Sequence, residues 1–135
     1  MLKLIIGEKG TGKTKILIDL VNTAADASNG NVVCIEKGMK MTYDISHSAK
    51  LIDIEEYNIN GYGELFGYLS GLCAGNYDIT DVFVDGLFKI CGRDYNEANA
   101  FFDRVAKLAE NSKANFTFTV SADMKDLPAD MQRYI

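Results

Sequence analysis

Near its N-terminus the chain reads Gly7-Glu8-Lys9-Gly10-Thr11-Gly12-Lys13-Thr14, with three glycines spaced among polar residues. A short apolar run, Met1–Ile6, precedes this segment and is typical of a strand that is buried on both faces. The segment Thr11–Ala27 places apolar side chains at helical spacing and predicts an amphipathic helix. A strand, a glycine-rich turn and a helix therefore follow one another, and this order predicts an α/β fold.

The segment also has the pattern of a phosphate-binding loop, G-x-x-x-x-G-K-[ST]. Its glycines permit a tight turn that aims successive backbone N–H groups into one concavity. The helix that follows directs the positive end of its dipole to the same place. Lys13 adds a cation for the β and γ phosphates, and the Thr14 hydroxyl is a ligand suited to Mg²⁺. The residues predicted to contact a nucleoside triphosphate are Gly7, Glu8, Lys9, Gly10, Thr11, Gly12, Lys13, Thr14 and Lys15.

The eight residues Gly7–Thr14 are the Walker A motif, and the chain thereby resembles the P-loop NTPases. The resemblance implies a three-layer α/β/α fold with a mainly parallel sheet of about four to five strands. It is strongest to compact RecA-like ATPases, although residue-level matches are confined to a few short segments. We expect residues 1–135 to form a single nucleotide-binding domain.

The rest of the chain alternates between strand and helix patterns, as expected for a parallel sheet covered by helices. Further strands are predicted at Asn31–Ile35, Leu51–Ile54 (near an edge), Asp81–Val84 and Phe116–Val120, and helices at Tyr62–Ala74 and Asp94–Glu110, the latter capped by Asp94. The segment Gly38–Ser48 is polar and irregular, and a short helix is predicted to start at Pro128.

Asp85 directly follows the apolar strand predicted at Asp81–Val84. A strand of a parallel sheet delivers its C-terminal carboxylate to the edge at which ligands bind. The resemblance therefore implies a Walker B motif, in which Asp85 and Thr14 hold Mg²⁺ directly or through water. The weaker alternative is that Asp85 is a cap or turn residue that precedes Gly86.

Many P-loop ATPases carry a catalytic Glu directly after the Walker B aspartate, but this chain has Gly86 there. In RecA-like ATPases a catalytic Glu lies near the end of the strand that follows the P-loop helix, and Glu36 has this place. The resemblance thus implies Glu36 as the base that activates water, together with Lys13 as the second catalytic residue. The alternative for Glu36 is a solvated strand end.

Two further polar residues, Ser121 and Arg93, each have two alternative roles. In the RecA-like branch the strand at Phe116–Val120 lies between the P-loop strand and the Walker B strand and ends in a polar sensor of the γ phosphate. Ser121 has that place, and a simple loop role is the alternative. Arg93 is predicted to form an ion pair with Asp94 or another acid, with neutralisation of phosphate as the alternative.

Composition excludes several other classes of protein. The net charge of −5 and the pI of about 4.8 argue against binding of nucleic acid through phosphate neutralisation. No apolar stretch approaches the ~20 residues of a membrane span, and the N-terminal apolar run is too short for a signal peptide. Cys34 and Cys73 are predicted to be buried thiols, and an odd cysteine count without an export signal favours the cytoplasm.

These observations favour a Mg²⁺-dependent ATPase of RecA-like type, with a second copy or another protein as the source of an arginine. ATP is expected rather than GTP, because the chain has no Asn-Lys-x-Asp segment. One alternative is a nucleotide-dependent switch or adaptor with little turnover. A weaker alternative is a small-molecule kinase with an acceptor pocket between Gly38 and Asn60.

Overall fold

Five strands form one sheet in the computed structural model, which describes all residues from 1 to 135. They are β1 (Leu2–Gly7), β2 (Asn31–Glu36), β3 (Ala49–Asp53), β4 (Ile79–Val84) and β5 (Asn115–Ser121). Their spatial order is β1-β5-β4-β2-β3, and every neighbouring pair is parallel. The predicted parallel sheet is confirmed, with β3 at an edge and β5 between β1 and β4.

The helices confirm the predicted alternation and add one element. They are α1 (Lys13–Ala27), α2 (Tyr62–Gly75), α3 (Leu87–Cys91) and α4 (Tyr95–Ser112). Shorter 3₁₀ turns cover Ile54–Tyr57, Met124–Asp126 and Ala129–Tyr134, so the helix predicted from Pro128 is of the 3₁₀ type. The prediction missed α3, because five residues are too few to show a helical period.

Apolar side chains pack on both faces of the sheet, and this explains why its strands are apolar throughout. On one face α4 packs Phe102 against Phe118 of β5, with ring centroids 5.2 Å apart. On the other face Leu17 of α1 joins Cys34 of β2 in a smaller cluster. The next residue of β2, Ile35, belongs to the larger cluster. Helices therefore cover the sheet on both faces, as the predicted three-layer arrangement requires.

The segment between β2 and β3 is irregular, as predicted, and consists mainly of turns. Two of its residues, Met41 and Ile45, are buried in the smaller cluster beside α1. These two side chains anchor the segment to the sheet close to the point where β2 ends.

The carboxyl ends of the central strands meet at one edge of the sheet. Gly7 of β1 lies opposite Ser121 of β5, and Val84 of β4 lies opposite Ile35 of β2. The Asp85 N–H donates to the Ile35 carbonyl at 2.9 Å, which fixes the residue after β4 at this edge. The fold thus brings the phosphate-loop segment and the aspartate together, as the sequence predicts.

No helix in the chain combines the length and the apolar character needed to cross a membrane. Cys34 and Cys73 are buried and form no disulfide, which confirms the prediction for these two side chains.

Candidate functional site

The loop between β1 and α1 is closed by hydrogen bonds to one carbonyl oxygen. The Glu8 carbonyl accepts from Lys13 Nζ at 2.9 Å and from Thr11 Oγ1 at 2.7 Å. Gly7 permits this closure, since a Cβ there would lie 2.5 Å from Thr11 Oγ1. Gly12 has a φ of 86°, a left-handed conformation that favours glycine. The bend at Gly12 also explains why α1 begins at Lys13, two residues later than predicted.

Backbone N–H groups of this loop are left without protein partners. Those of Gly10, Gly12, Lys13 and Thr14 donate to no backbone or side-chain acceptor. The first residues of any helix carry such unsatisfied donors, and here the preceding turn adds more of them. Several free amide donors in one turn form an anion-binding concavity, the physical feature that a phosphate requires.

Thr14 and Asp85 bring oxygen ligands together across the edge of the sheet. Thr14 Oγ1 lies 3.3 Å from each carboxylate oxygen of Asp85. A hydroxyl and a carboxylate are ligands of the kind that Mg²⁺ prefers. The donor set therefore fits this ion.

Asp85 is oriented by a residue that the sequence analysis did not identify. Thr119 of β5 is 1% exposed, and its Oγ1 donates to Asp85 Oδ1 at 2.8 Å. Thr119 Oγ1 also accepts from the N–H of Gly86 at 2.7 Å. A signal was present, because Thr117 and Thr119 interrupt the apolar strand at alternate positions. Hydroxyls inside a strand that is buried on both faces require partners, and such partners are often functional groups.

Lys13 is buried beside the loop, with 9% of its surface exposed. Burial lowers its pKa, the Asp85 carboxylate opposes this shift, and the Lys89 ammonium lowers the pKa further. An ammonium group that is desolvated and faces a second cation gains stability when an anion binds beside it. The electrostatics of Lys13 therefore favour a bound phosphate.

The β1–α1 loop, the ends of β4 and β5, and α3 together line a cavity of about 770 Å³. This volume lies within the range of about 300–1,000 Å³ that is usual for small-molecule sites. Predicted site residues in its lining are Glu8, Lys9, Gly10, Gly12, Lys13, Thr14 and Asp85. Gly7, Thr11 and Lys15 are outside the lining, the first two because they shape the loop and Lys15 because it lies further along α1.

Glu36 is not at the cavity surface. It is 3% exposed, and its Oε2 accepts from the Met41 N–H at 2.9 Å. Burial raises the pKa of Glu36, the N–H groups of Met41 and Lys40 lower it, and the nearby Asp85 carboxylate raises it. The alternative of a solvated strand end is therefore wrong. The carboxylate instead stabilises the turn that follows β2 through its hydrogen bond with Met41.

Comparison with known proteins gives structural matches only. No family model and no curated protein matches the chain. The solved pCW3 conjugation coupling protein TcpA, a monomer form with ATPγS, aligns over 99% of this chain at 18% identity and a TM-score of 0.56. The flagellar accessory protein FlaH from Methanocaldococcus jannaschii aligns over 98% at 16% identity and a TM-score of 0.59.

The chain has a P-loop NTPase fold. It spans 46% of the TcpA chain and 65% of the FlaH chain, less than two thirds of either protein.

Arg93 lies in the cavity lining of this P-loop fold, but its predicted ion pair is absent. Its guanidinium donates to the Ser121 carbonyl and to the Tyr95 hydroxyl, both at 3.0 Å, and it lies 5.1 Å from the centroid of Phe88. Asp94 instead caps α4 by accepting from the Glu97 N–H at 3.0 Å. The prediction of an Arg93 ion pair was wrong, because the carboxylate of its neighbour serves the helix.

Replacing Thr119 by valine is expected to lower the free energy of unfolding by about 1–3 kcal/mol, because the half-buried Gly86 N–H loses its partner and Asp85 Oδ1 keeps only that of Thr14. The shape of the side chain is kept. Urea denaturation measures this change. Thr117→Val is the matched control in the same strand, since Thr117 makes no side-chain hydrogen bond and is also buried. Equal losses in the two variants would show that the hydrogen bonds of Thr119 are unimportant to stability.

Proposed function

We propose that the chain binds a nucleoside triphosphate with Mg²⁺ and hydrolyses ATP in the manner of a RecA-like ATPase. One observation carries the proposal: unpaired loop amides, the Lys13 ammonium and the Thr14–Asp85 oxygens all border one cavity. The TcpA structure, which shares the fold, contains ATPγS. We further propose that residues 1–135 act as one nucleotide-binding domain in the cytoplasm, where three free thiols stay reduced.

The proposed roles follow from the chemistry of each group. Loop amides and Lys13 hold the β and γ phosphates, because both present positive charge to the same cavity. Thr14 and Asp85 would hold Mg²⁺, which supplies positive charge to the phosphate oxygens during phosphoryl transfer. Thr119 fixes the direction of the Asp85 carboxylate. Catalysis in this fold depends mainly on such positioning and electrostatic stabilisation.

Glu36 is the proposed base, and burial raises its pKa, which favours acceptance of a proton by the carboxylate. Its carboxylate now accepts from Met41 and is absent from the cavity lining. Activation of water at the γ phosphate therefore requires the side chain to exchange this backbone partner for a water molecule. That requirement predicts slow turnover by the chain alone.

The same observation favours the second candidate function, a nucleotide-dependent switch. Gly86 occupies the usual position of a catalytic Glu, and Glu36 is engaged in holding the turn after β2. In this function the bound nucleotide changes the contacts of that turn, and hydrolysis is incidental. The kinase alternative receives less support, because no residue between Gly38 and Asn60 lines the cavity.

Phosphate release with ATP and Mg²⁺ tests the proposed catalytic role. Glu36→Gln is expected to lower the rate by about tenfold or more while ATP affinity is retained, because the amide no longer accepts a proton. Glu110→Gln, on the exposed side of α4, is the control and should leave the rate unchanged.

Three other results would favour another function or refute the site. Tight ATP binding by the unmodified protein without phosphate release would favour the switch. ATP consumption that begins only when a metabolite is added would favour the kinase. Absence of ATP binding would refute the site itself.

A further inference from the structure

Lys89 lines the cavity together with the phosphate-binding loop but belongs to a different element. It is in the first turn of α3, the short helix that begins just after Asp85 and Gly86. Long side chains of a helix lean toward its N-terminus, so the Lys89 side chain is directed back toward the end of β4. The contacts agree, since a Cβ on Gly86 would lie only 3.2 Å from Lys89 Cδ. Lys89 thus lines the same cavity as Lys13 and Thr14.

The main chain of Lys89 is also held in place from the neighbouring strand. Lys37, the residue after β2, donates from Nζ to the Lys89 carbonyl at 3.2 Å. Gly86 has a φ of 79°, so the turn that starts α3 suits glycine. These two features fix the main chain of Lys89, and its side chain lines the cavity.

The ammonium group of Lys89 has no partner within the protein. It makes no ion pair and donates no hydrogen bond, whereas Lys13 donates to Glu8 and Arg93 donates to Ser121. Lys13 and Lys89 also line one and the same cavity. Two neighbouring cations repel each other unless an anion lies between them, so their common cavity is arranged for a polyanion.

We propose that Lys89 of α3 binds the terminal phosphate of the nucleotide in addition to Lys13. This inference rests on the proposed function, since it adds a second cation to the same site. The chain would then supply in cis a charge that the resemblance to RecA-like ATPases assigns to an arginine from a partner. A further consequence is selectivity, because a diphosphate lacks the group that Lys89 contacts.

Binding of ATP and of ADP in the presence of Mg²⁺, measured by calorimetry, tests this role. Lys89→Met removes the charge and keeps an apolar stem over Gly86. We expect the affinity for ATP to fall about tenfold, the equivalent of one charged hydrogen bond, and the affinity for ADP to stay nearly constant. Lys89→Arg should restore most of the affinity for ATP. Lys107→Met, on the exposed side of α4, is the control for the change in net charge.

Two results would overturn the proposal while leaving the proposed function intact. One is an unchanged ATP affinity in Lys89→Met, and the other is an equal fall for ATP and ADP, which would show that Lys89 acts on the whole site. Failure of the unmodified protein to bind ATP would instead refute the proposed function together with this inference.

Discussion

Substitution of Lys13 by alanine should lower the affinity for ATP by about a hundredfold or more, because loss of one member of a buried, hydrogen-bonded charge pair costs about 2–5 kcal/mol. Lys13 is 9% exposed and borders the cavity together with the free amides of the loop. No other cation lies within the loop at an equally buried position, because Lys9 is exposed. Calorimetric titration with ATP and Mg²⁺ gives the affinity directly.

The protein itself should tolerate this change, since within the chain Lys13 makes only one side-chain hydrogen bond, to the Glu8 carbonyl. A thermal unfolding curve close to that of the unmodified protein would establish this. Lys107→Ala is the control, because Lys107 is an exposed lysine of α4 outside the cavity. Unchanged ATP affinity in a folded Lys13→Ala protein would contradict the assignment of the site.

Replacement of Asp85 by asparagine should remove the dependence on Mg²⁺ and lower phosphate release by about a hundredfold or more, since even residues that only orient metal ligands change affinity by about 10–100-fold. The amide oxygen of asparagine still accepts from Thr119, so the local structure is expected to persist. The negative charge beside Thr14 is lost, however, and with it the main attraction for the ion.

Titration with Mg²⁺ at a fixed concentration of ATP measures the effect of this substitution. Asp81→Asn is the control at the opposite end of the same strand, where the carboxylate accepts from Thr80 and Asn115. Both variants change the net charge equally. If Asp81→Asn and Asp85→Asn responded to Mg²⁺ alike, the ion would not be held at the end of β4.

The parts of the fold that were predicted correctly are those with local causes. The apolar run before Gly7, the glycine bend and the spacing of Leu17 and Val21 depend on residues close in sequence. Asp94 was predicted as the cap of α4 because capping also acts over three residues. The start of α1 was misplaced, since the left-handed conformation of Gly12 delays the helix. The strand β3 begins at Ala49 rather than at Leu51, and α3 was missed.

The arrangement of the candidate site was less predictable because its contacts join distant segments. Glu36 is buried under the turn that follows β2, and its carboxylate accepts a hydrogen bond from the Met41 N–H. The spacing of residues in the sequence does not predict such a contact. Arg93 binds the Ser121 carbonyl, which the parallel pairing of β5 with β1 and β4 brings within reach. Lys89 was not predicted as a site residue, because it lies on α3, a helix too short to show a period in the sequence. The bend of the loop and the meeting of Thr14 with Asp85 were therefore predictable, whereas most of the other residues around the cavity were not.

The position of β1 at the edge of the sheet has a consequence for the order of folding. Its only neighbouring strand is β5, so the first strand of the chain pairs with the last. The Met1 ammonium and the Ala114 carbonyl, which meet where this pair begins, are 113 residues apart in sequence. Closing so large a loop is entropically costly and slow, so β1 is among the last strands to acquire its native neighbour. A nucleotide would consequently find its site only after β1 had paired with β5, and its binding would report completion of the sheet.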